Sequence, residues 1–367
     1  MNVTHVRAAT HTYNVYVGEN LRHWTADYLP KTYPSILIVT DEKVARYYLE
    51  DVKRSLSQKH VAVHTIQSGE SAKSIDVFYE LQTKAIEFGL ERNSLIIALG
   101  GGVVGDVAGF VAATFMRGID YVQMPTTILA HDSSVGGKVA INHEQGKNMI
   151  GSFHAPAAVI YDVTTLATLT EQEIRSGYAE LLKEALLSDS AMYEAVMAND
   201  LSALTSEKLS HQLISGIDVK AAIVEADEYE TDQRKFLNLG HTLGHALETI
   251  LGYGSWTHGE LVAIGLLFAI WVSEKIYGVK LPYNAIYRWL KSNGYPLKWP
   301  SINSETIFTK MKSDKKTVSG TIQMVLLQKI GHPVMCEIDD RHMLSYLRTF
   351  QNELLSSNEQ GGKQHEK

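Results

Sequence analysis

The sequence predicts an α/β N-terminal domain followed by a mainly α-helical C-terminal domain. Three observations carry that expectation. Short apolar strands alternate with amphipathic helices through the first half, which is the pattern of a mainly parallel sheet. The third of those strands ends in the glycine run Gly100-Gly101-Gly102. From about Thr170 strand-like runs give way to long helical stretches. A length of 367 residues itself favours two domains. Their expected limits are 1–165 and 166–355, followed by the polar tail 356–367, which has almost nothing to bury and is expected to be disordered.

In chain order, MNVTHVRAATHTYNVYVG alternates like a strand and lacks the charged and apolar regions of a secretory signal, so a cytoplasmic protein is expected. Ser35–Thr40 (SILIVT) runs into Asp41, Val61–Ile66 into Gln67-Ser68-Gly69-Glu70, and Ser94–Leu99 (SLIIAL) into the glycines. Ligands of open α/β sheets bind outside such carboxyl ends, which makes these three strand ends candidate contacts. Helices are expected at Glu171–Leu187, Ser206–Glu228, Gly240–Leu251 and Glu260–Tyr277. Within Thr317–Leu327 (TVSGTIQMVLL), Ser319-Gly320 lies between β-prone runs and reads as a hairpin. The longest apolar run, Leu261–Val272, has only twelve residues and suits a buried helix better than a membrane span.

A net charge of −7 offers no broad basic surface for nucleic acid. The lone Cys336 excludes an intramolecular disulfide and any cysteine cluster around a metal, leaving His and carboxylate as ligands.

Asn238–Glu260 (NLGHTLGHALETILGYGSWTHGE) places three histidines where an apolar helical pattern has no structural use for them. His241 and His245, four apart, share a helix face, and His258 follows a Gly-rich break that can fold it back. A divalent ion fits such a set, and a catalytic zinc usually takes three protein ligands. The alternative is that two of the three are ordinary helix histidines with satisfied hydrogen bonds. The missing carboxylate is sought in RSGYAELLKEALL, where Glu180 and Lys183 lie three apart on one face. An exposed ion pair is the plainer reading of that pair alone.

Gly100-Gly101-Gly102-Val103-Val104-Gly105-Asp106 follows a strand and opens a helix, so backbone N–H groups would face an anion such as a nucleotide diphosphate. It is not a standard dinucleotide fingerprint, because the strand before it is the third of the domain and the acidic partner is poorly supplied. A tight turn made only for packing is the alternative. Asp41, Glu70, Lys73, Thr126 and Thr127 are further candidate contacts, each of a residue type that also serves as a cap or turn. In Asp132–Asn148 (DSSVGGKVAINHEQGKN), Lys138 and Lys147 lie among glycines, with Asp132 to balance their charge, and the stretch fits no periodic element. Lys220, Arg234 and Asn238, with Asp314-Lys315-Lys316, form a further charged set, in which Arg234 suits a carboxylate through its planar fork.

Taken in order, GGGVVGD, PTT, DSSVGGK, GKNMIG, AELLK, RKFLNLGHTLGHALE, HGE and DKK closely resemble the 3-dehydroquinate synthase family, from about Asp41 to Leu327. The resemblance implies a nucleotide-binding α/β domain joined to a helical domain, with the active site between them, and a homodimer. It implies NAD and one divalent metal, Zn2+ or Co2+, and a phosphorylated heptulosonate as substrate. Metal ligands carry over to Glu180, His241 and His258, with His245 given to the substrate or to proton relay. NAD contacts carry over to Asp41, Glu70, Lys73, Gly102, Val103, Val104, Gly105, Asp106, Thr126, Thr127, Lys138, Lys147 and the segment Thr165, Leu166, Ala167, Thr168. Substrate contacts carry over to Asp132, Lys138, Asn148, Lys183, Lys220, Arg234, Asn238, His245 and Lys315, with Arg117 reaching the phosphate from a second subunit. Two departures are visible. The segment Leu129-Ala130-His131-Asp132 is one residue shorter than the family pattern, and Glu184-Ala185 stand where an aromatic or His and then Gly are common.

The implied activity converts 3-deoxy-D-arabino-heptulosonate 7-phosphate into 3-dehydroquinate and phosphate in the shikimate pathway. It passes through transient oxidation at C5 by NAD, phosphate loss, re-reduction and an intramolecular aldol closure. Against another sugar phosphate cyclase acting on a substrate without a carboxylate stand Arg234, Lys220 and Lys315. Against a metal-dependent polyol dehydrogenase stands the lysine-bearing DSSVGGK loop. No partner of nucleic acid or membrane type is expected.

Overall fold

The computed structural model describes residues 1–56, 59–252, 254, 256–299, 301–312 and 321–362, with 355–362 by backbone alone. The chain folds as two compact units, one of Met1–Gly177 with Thr205–Arg234 and one of Tyr178–Leu204 with Lys235–Lys367. The units are therefore not two consecutive stretches divided at 165/166, because the Ser206–Ala226 helix packs with the first. Its Asp218 accepts from Thr4 Oγ1 at 2.7 Å, and its Glu225 accepts from the Arg7 backbone N–H at 2.9 Å.

Among its described residues the first unit holds nine strands: β1 (Asn2–Arg7), β2 (Thr12–Gly18), β3 (Ser35–Asp41), β4 (His60–Ile66), β5 (Leu95–Gly100), β6 (Asp120–Pro125), β7 (Lys138–His143), β8 (Gly146–Phe153) and β9 (Ala158–Asp162). Seven form a sheet in the order β1-β2-β9-β6-β5-β3-β4, parallel except for the β1–β2 pair. Alternate residues of one strand enter different clusters. Leu37 and Val39 pack with the Gly102–Thr114 helix, whereas Ile36 and Ile38 pack with Leu21, Tyr33 and Val52. Burial on both faces explains why SILIVT and SLIIAL read as unbroken apolar runs. The chain steps from β3 outward to β4 and then back across β3 to β5, so the β3/β5 boundary is a topological switch point, the place where such sheets hold ligands.

The stretch Asp132–Asn148, expected to fit no periodic element, folds as the short helix Ala130–Ser133 and then the antiparallel β7–β8 hairpin. Val139 and Ile141, two apart on β7, are buried in the core shared with the Gly102–Thr114 helix, and that alternation makes the strand.

The second unit is mainly helical. The His258–Tyr277 helix is buried from Gly259 to Ser273, as expected of its apolar run, and no helix among the described residues is long and apolar enough to cross a membrane. Ser319 and Gly320 lie outside the described residues. A hairpin observed beyond them pairs β10 (Ile322–Lys329) with β11 (His332–Ile338) and turns at Ile330-Gly331. Gly331, at φ 78, supplies the left-handed conformation that the turn requires. The expected tail 356–367 is described only in part, 363–367 lying outside the described residues. The last helix runs Asp340–Gly362, held by Met343, Leu347, Phe350 and Leu354, whose spacing makes one buried stripe.

Candidate active site

In the first unit the carboxyl ends of β3, β4, β5 and β6 are adjacent in register, with Asp41 beside Ile66 and Gly100 beside Pro125. Asp41 caps the turn that follows it, accepting from the N–H groups of Lys43 and Val44, and also accepts from Ser68 Oγ at 2.8 Å. Two of the glycines are explained by packing. A Cβ at Gly100 would lie 2.6 Å from Val104 Cγ2, and one at Gly105 would lie 2.6 Å from Gln123 Oε1. Gly101 and Gly102 leave more room, and no side chain caps the N-terminus of the Gly102–Thr114 helix, so its first N–H groups stay available to an anion. Nearby, Thr126 Oγ1 and Ser133 Oγ are buried without a hydrogen bond.

Lys73 is only 5% exposed, and its Nζ lies 2.6 Å from Asp106 Oδ2 and 2.5 Å from Asn148 Oδ1. Glu70 accepts from Asn142 Nδ2 at 2.9 Å and lies 3.6 Å from Lys147 Nζ. Burial raises the Asp106 carboxyl above its ordinary range, with the Lys73 ammonium opposing that shift. Glu70, Lys73, Asp106, Lys147 and Asn148, scattered in sequence, thus form one polar network. Thr165–Thr168 is a helical turn tied to Tyr48, whose hydroxyl donates to Thr165 O at 2.8 Å and pairs with Thr168 Oγ1 at 2.7 Å. Leu166 of that turn is buried.

A second set in the same unit surrounds Arg234. Its guanidinium, 1% exposed, donates from Nη2 to Gly136 O at 2.9 Å and from Nη1 to Glu228 O, and lies over the Phe153 ring at 5.8 Å. Its Nε is buried without a partner, and burial lowers its pKa. Such a donor has room for an acceptor. Lys220 pairs with Asp132 at 3.2 Å, and Lys138 forms an ion pair with Glu230. Glu230, a non-glycine residue at φ 59, was not singled out from sequence, because nothing local marks it as the partner of a lysine ninety-two positions away. Arg117 is exposed and left-handed at φ 70. Lys315 lies outside the described residues.

The second unit assembles the histidines. Gly240, at φ 80, precedes the His241–Leu251 helix, and a Cβ at Gly265 would lie 1.8 Å from Gly240 O, so only glycine at 265 lets the His258–Tyr277 helix approach this closely. Asn238 closes the turn just ahead of this helix. His258 is the first residue of its helix. Thr257 caps that helix, its N–H donating to Glu260 Oε2 at 2.9 Å in a reciprocal capping box.

The three imidazoles converge, with ring centroids 5.1 to 5.6 Å apart and ligand atoms within 4.8 Å of one another. Glu180 and Lys183 join them from the Glu171–Leu187 helix. Glu180 Oε1 lies 3.5 Å from His241 Nε2 and 3.2 Å from His258 Nε2, and Lys183 Nζ lies 2.6 Å from Glu180 Oε2. The pair expected to be surface-like if structural is instead 2% and 1% exposed. Burial opposes ionisation of Glu180, yet the Lys183 ammonium and the imidazoles outweigh it and hold the carboxyl well below the ordinary range. For His258 burial disfavours the cation, but Glu180 and Glu248 push the imidazole up to about 9. Both oxygens of Glu180 are buried without a hydrogen bond of acceptable geometry. An anionic carboxylate so placed against two of three convergent imidazoles fits a divalent cation.

Two family models match the chain: that of the N-terminal domain of 3-dehydroquinate synthase over residues 63–176, and that of its C-terminal domain over residues 177–317. The chain is 54% identical over 347 residues to the 3-dehydroquinate synthase of Oceanobacillus iheyensis, covering 94% of this chain and 97% of that one. It is 52% identical over 320 residues to that of Geobacillus thermodenitrificans, covering 86% and 87%. Among solved structures it resembles 2-deoxy-scyllo-inosose synthase complexed with carbaglucose-6-phosphate, NAD+ and Co2+, at 25% identity and a TM-score of 0.85, covering 95% of this chain and all of that one. With a buried carboxylate, three convergent histidines and both family models matched, the chain belongs to the 3-dehydroquinate synthase family.

Proposed function

We propose that this chain converts 3-deoxy-D-arabino-heptulosonate 7-phosphate into 3-dehydroquinate and phosphate, acting as a phosphate-eliminating lyase with NAD and one divalent ion. The observation that carries the metal-dependent reading is the buried carboxylate of Glu180 lying 3.5 Å from His241 Nε2 and 3.2 Å from His258 Nε2, two of the three convergent imidazoles. We assign Glu180, His241 and His258 as ligands, with Zn2+ or Co2+ as the ion. The first unit is assigned to NAD, through Asp41, Glu70, Lys73, the turn Gly102–Asp106, Thr126, Thr127, Lys138, Lys147 and Thr165–Thr168.

When bound, NAD supplies reversible hydride transfer at the substrate C5, and the ion supplies Lewis acidity toward oxygen. The chain's own groups bind, orient and move protons. Arg234, with a buried donor unpartnered and a planar fork, is assigned to the substrate carboxylate. Lys138, Lys220 and Lys183 are assigned to anionic or developing negative charge, and Asp132, Asn148 and Asn238 to orienting hydroxyls. Lys315 is assigned to the substrate, and Arg117 to the phosphate from a second copy in a homodimer. His245 is assigned to proton transfer, its imidazole being of the residue type whose ordinary pKa lies nearest neutrality. The protein is placed in the cytoplasm by this proposal.

The test is to incubate metal-loaded protein with NAD and the heptulosonate phosphate, following phosphate release and the dehydroquinate mass. Equimolar phosphate and product, with no net NADH, is the expected result. Absence of product, or NADH accumulating in step with substrate consumed, rejects the proposal.

A further inference from the structure

Each of the two histidines assigned to the metal directs one ring nitrogen at Glu180 and gives the other an acceptor. His241 Nδ1 lies 3.1 Å from Leu239 O, and its Nε2 lies 3.5 Å from Glu180 Oε1. His258 Nδ1 lies 3.3 Å from Glu248 Oε2, and its Nε2 lies 3.2 Å from Glu180 Oε1. A backbone carbonyl and an ionised carboxylate can only accept, so each Nδ1 carries the proton and each Nε2 keeps its lone pair when the ion is bound. Glu248 is itself 7% exposed and shares a helix face with His241 and His245, three residues beyond the second. A carboxylate in so buried a position needs a donor.

We infer that Glu248 is a positioning residue of the metal centre: it accepts the Nδ1 proton of His258 and thereby fixes the tautomer and ring orientation that present Nε2 to the ion. The inference rests on the metal reading of the proposed function. The backbone of His258 is set separately by the Thr257–Glu260 capping box, so the ring is the degree of freedom that Glu248 controls. Its negative charge also makes the ligand nitrogen more basic. Outer carboxylates of this kind typically change metal affinity by about 10- to 100-fold.

The experiment uses the full chain stripped of metal and titrated with Zn2+ against a chromophoric chelator, comparing the wild type, Glu248→Gln and Glu248→Leu. The expected result is a Zn2+ Kd weakened by about 10- to 100-fold in the Leu variant. The Gln variant, whose amide oxygen still accepts the proton but without charge, should be weakened less. Metal-free melting temperatures near wild type would accompany both results. A folded Leu variant with wild-type affinity overturns the role. Should that variant fail to fold, the wild type itself gives the answer: nitrogen NMR of the Zn2+-loaded chain must show His258 protonated at Nδ1, and metal bound at Nδ1 overturns the inference. Failure of the wild type to bind Zn2+ at all sinks the metal reading as well, whereas equal binding by wild type and variants sinks only the part given to Glu248.

Discussion

Lys183 Nζ lies 2.6 Å from Glu180 Oε2, one helical turn away, and both side chains are almost fully buried. Removing one partner of such a pair leaves an uncompensated charge in the interior. In the metal-free protein Glu180→Gln should therefore destabilise the second unit by about 3 kcal/mol. Urea unfolding followed by circular dichroism measures it, and a loss below about 0.5 kcal/mol would show that the pair is solvated.

The same pair sets an acid dependence. Glu180 has a depressed pKa in the folded chain, so its stabilising contribution is present above the unfolded value of about 4.5 and is lost as pH falls through the folded one. The metal-free wild type should lose stability as pH drops below about 4.5 more steeply than Lys183→Met, in which the main cause of the depression is gone. Parallel pH profiles in the two proteins would contradict the assignment.

His258 gives a dependence of opposite sign. Its imidazole is raised to about 9 in the metal-free fold, so the stability it contributes is present below about 6.5 and is lost as pH rises through about 9. A metal ligand must be neutral, and so ion binding at pH 7 should release close to one proton from this residue. Calorimetry in buffers of different ionisation enthalpy counts that proton, and a release near zero would mean that His258 is already neutral.

His258→Ala should retain the fold and lose the ion. Its loss of affinity should exceed the roughly 100-fold ceiling expected for an outer carboxylate, with activity falling in parallel. Metal analysis after gel filtration decides this, since full occupancy would remove His258 from the ligand set.

Gly265→Ala tests how the histidine-bearing helices are brought together. Its Cβ would fall 1.8 Å from Gly240 O, a backbone atom that cannot rotate away. A cost at or above the upper end of about 1–3 kcal/mol is expected, together with weaker metal binding because Gly240 precedes His241 directly. Denaturant unfolding and chelator competition on one preparation provide both readings, and an unperturbed variant would show that the helices can separate at no cost.

Local pattern carried much of what was legible. The strand ends at Asp41 and Gly100, the helices at Glu171–Leu187 and His241–Leu251, and the shared face of His241 and His245 all follow from periodicity, which acts over a few residues. Glu248 was within reach of the same reasoning, being on that face, yet an acidic residue on a helix is so often solvated that nothing drew notice to it. The turn at Ile330-Gly331 carried a weaker local signal than Ser319-Gly320 and becomes a turn through the pairing of β10 with β11. The last helix, anchored by the stripe Met343–Leu354, runs on to Gly362, past the expected domain limit at 355.

By itself the sequence determined the chemistry available: a glycine turn after a strand, histidines at helical spacing, carboxylate and lysine one turn apart, and motifs specific enough to imply the family. Only the tertiary structure decided which of those groups meet. It gave Lys73 to Asp106, Lys138 to Glu230, Arg234 to Gly136, and Glu180 to His241 and His258. The physical reason is range. Propensity, capping and periodicity act between near neighbours in the chain, whereas desolvation and pairing of charges depend on which distant segments the packed core brings within a few ångströms.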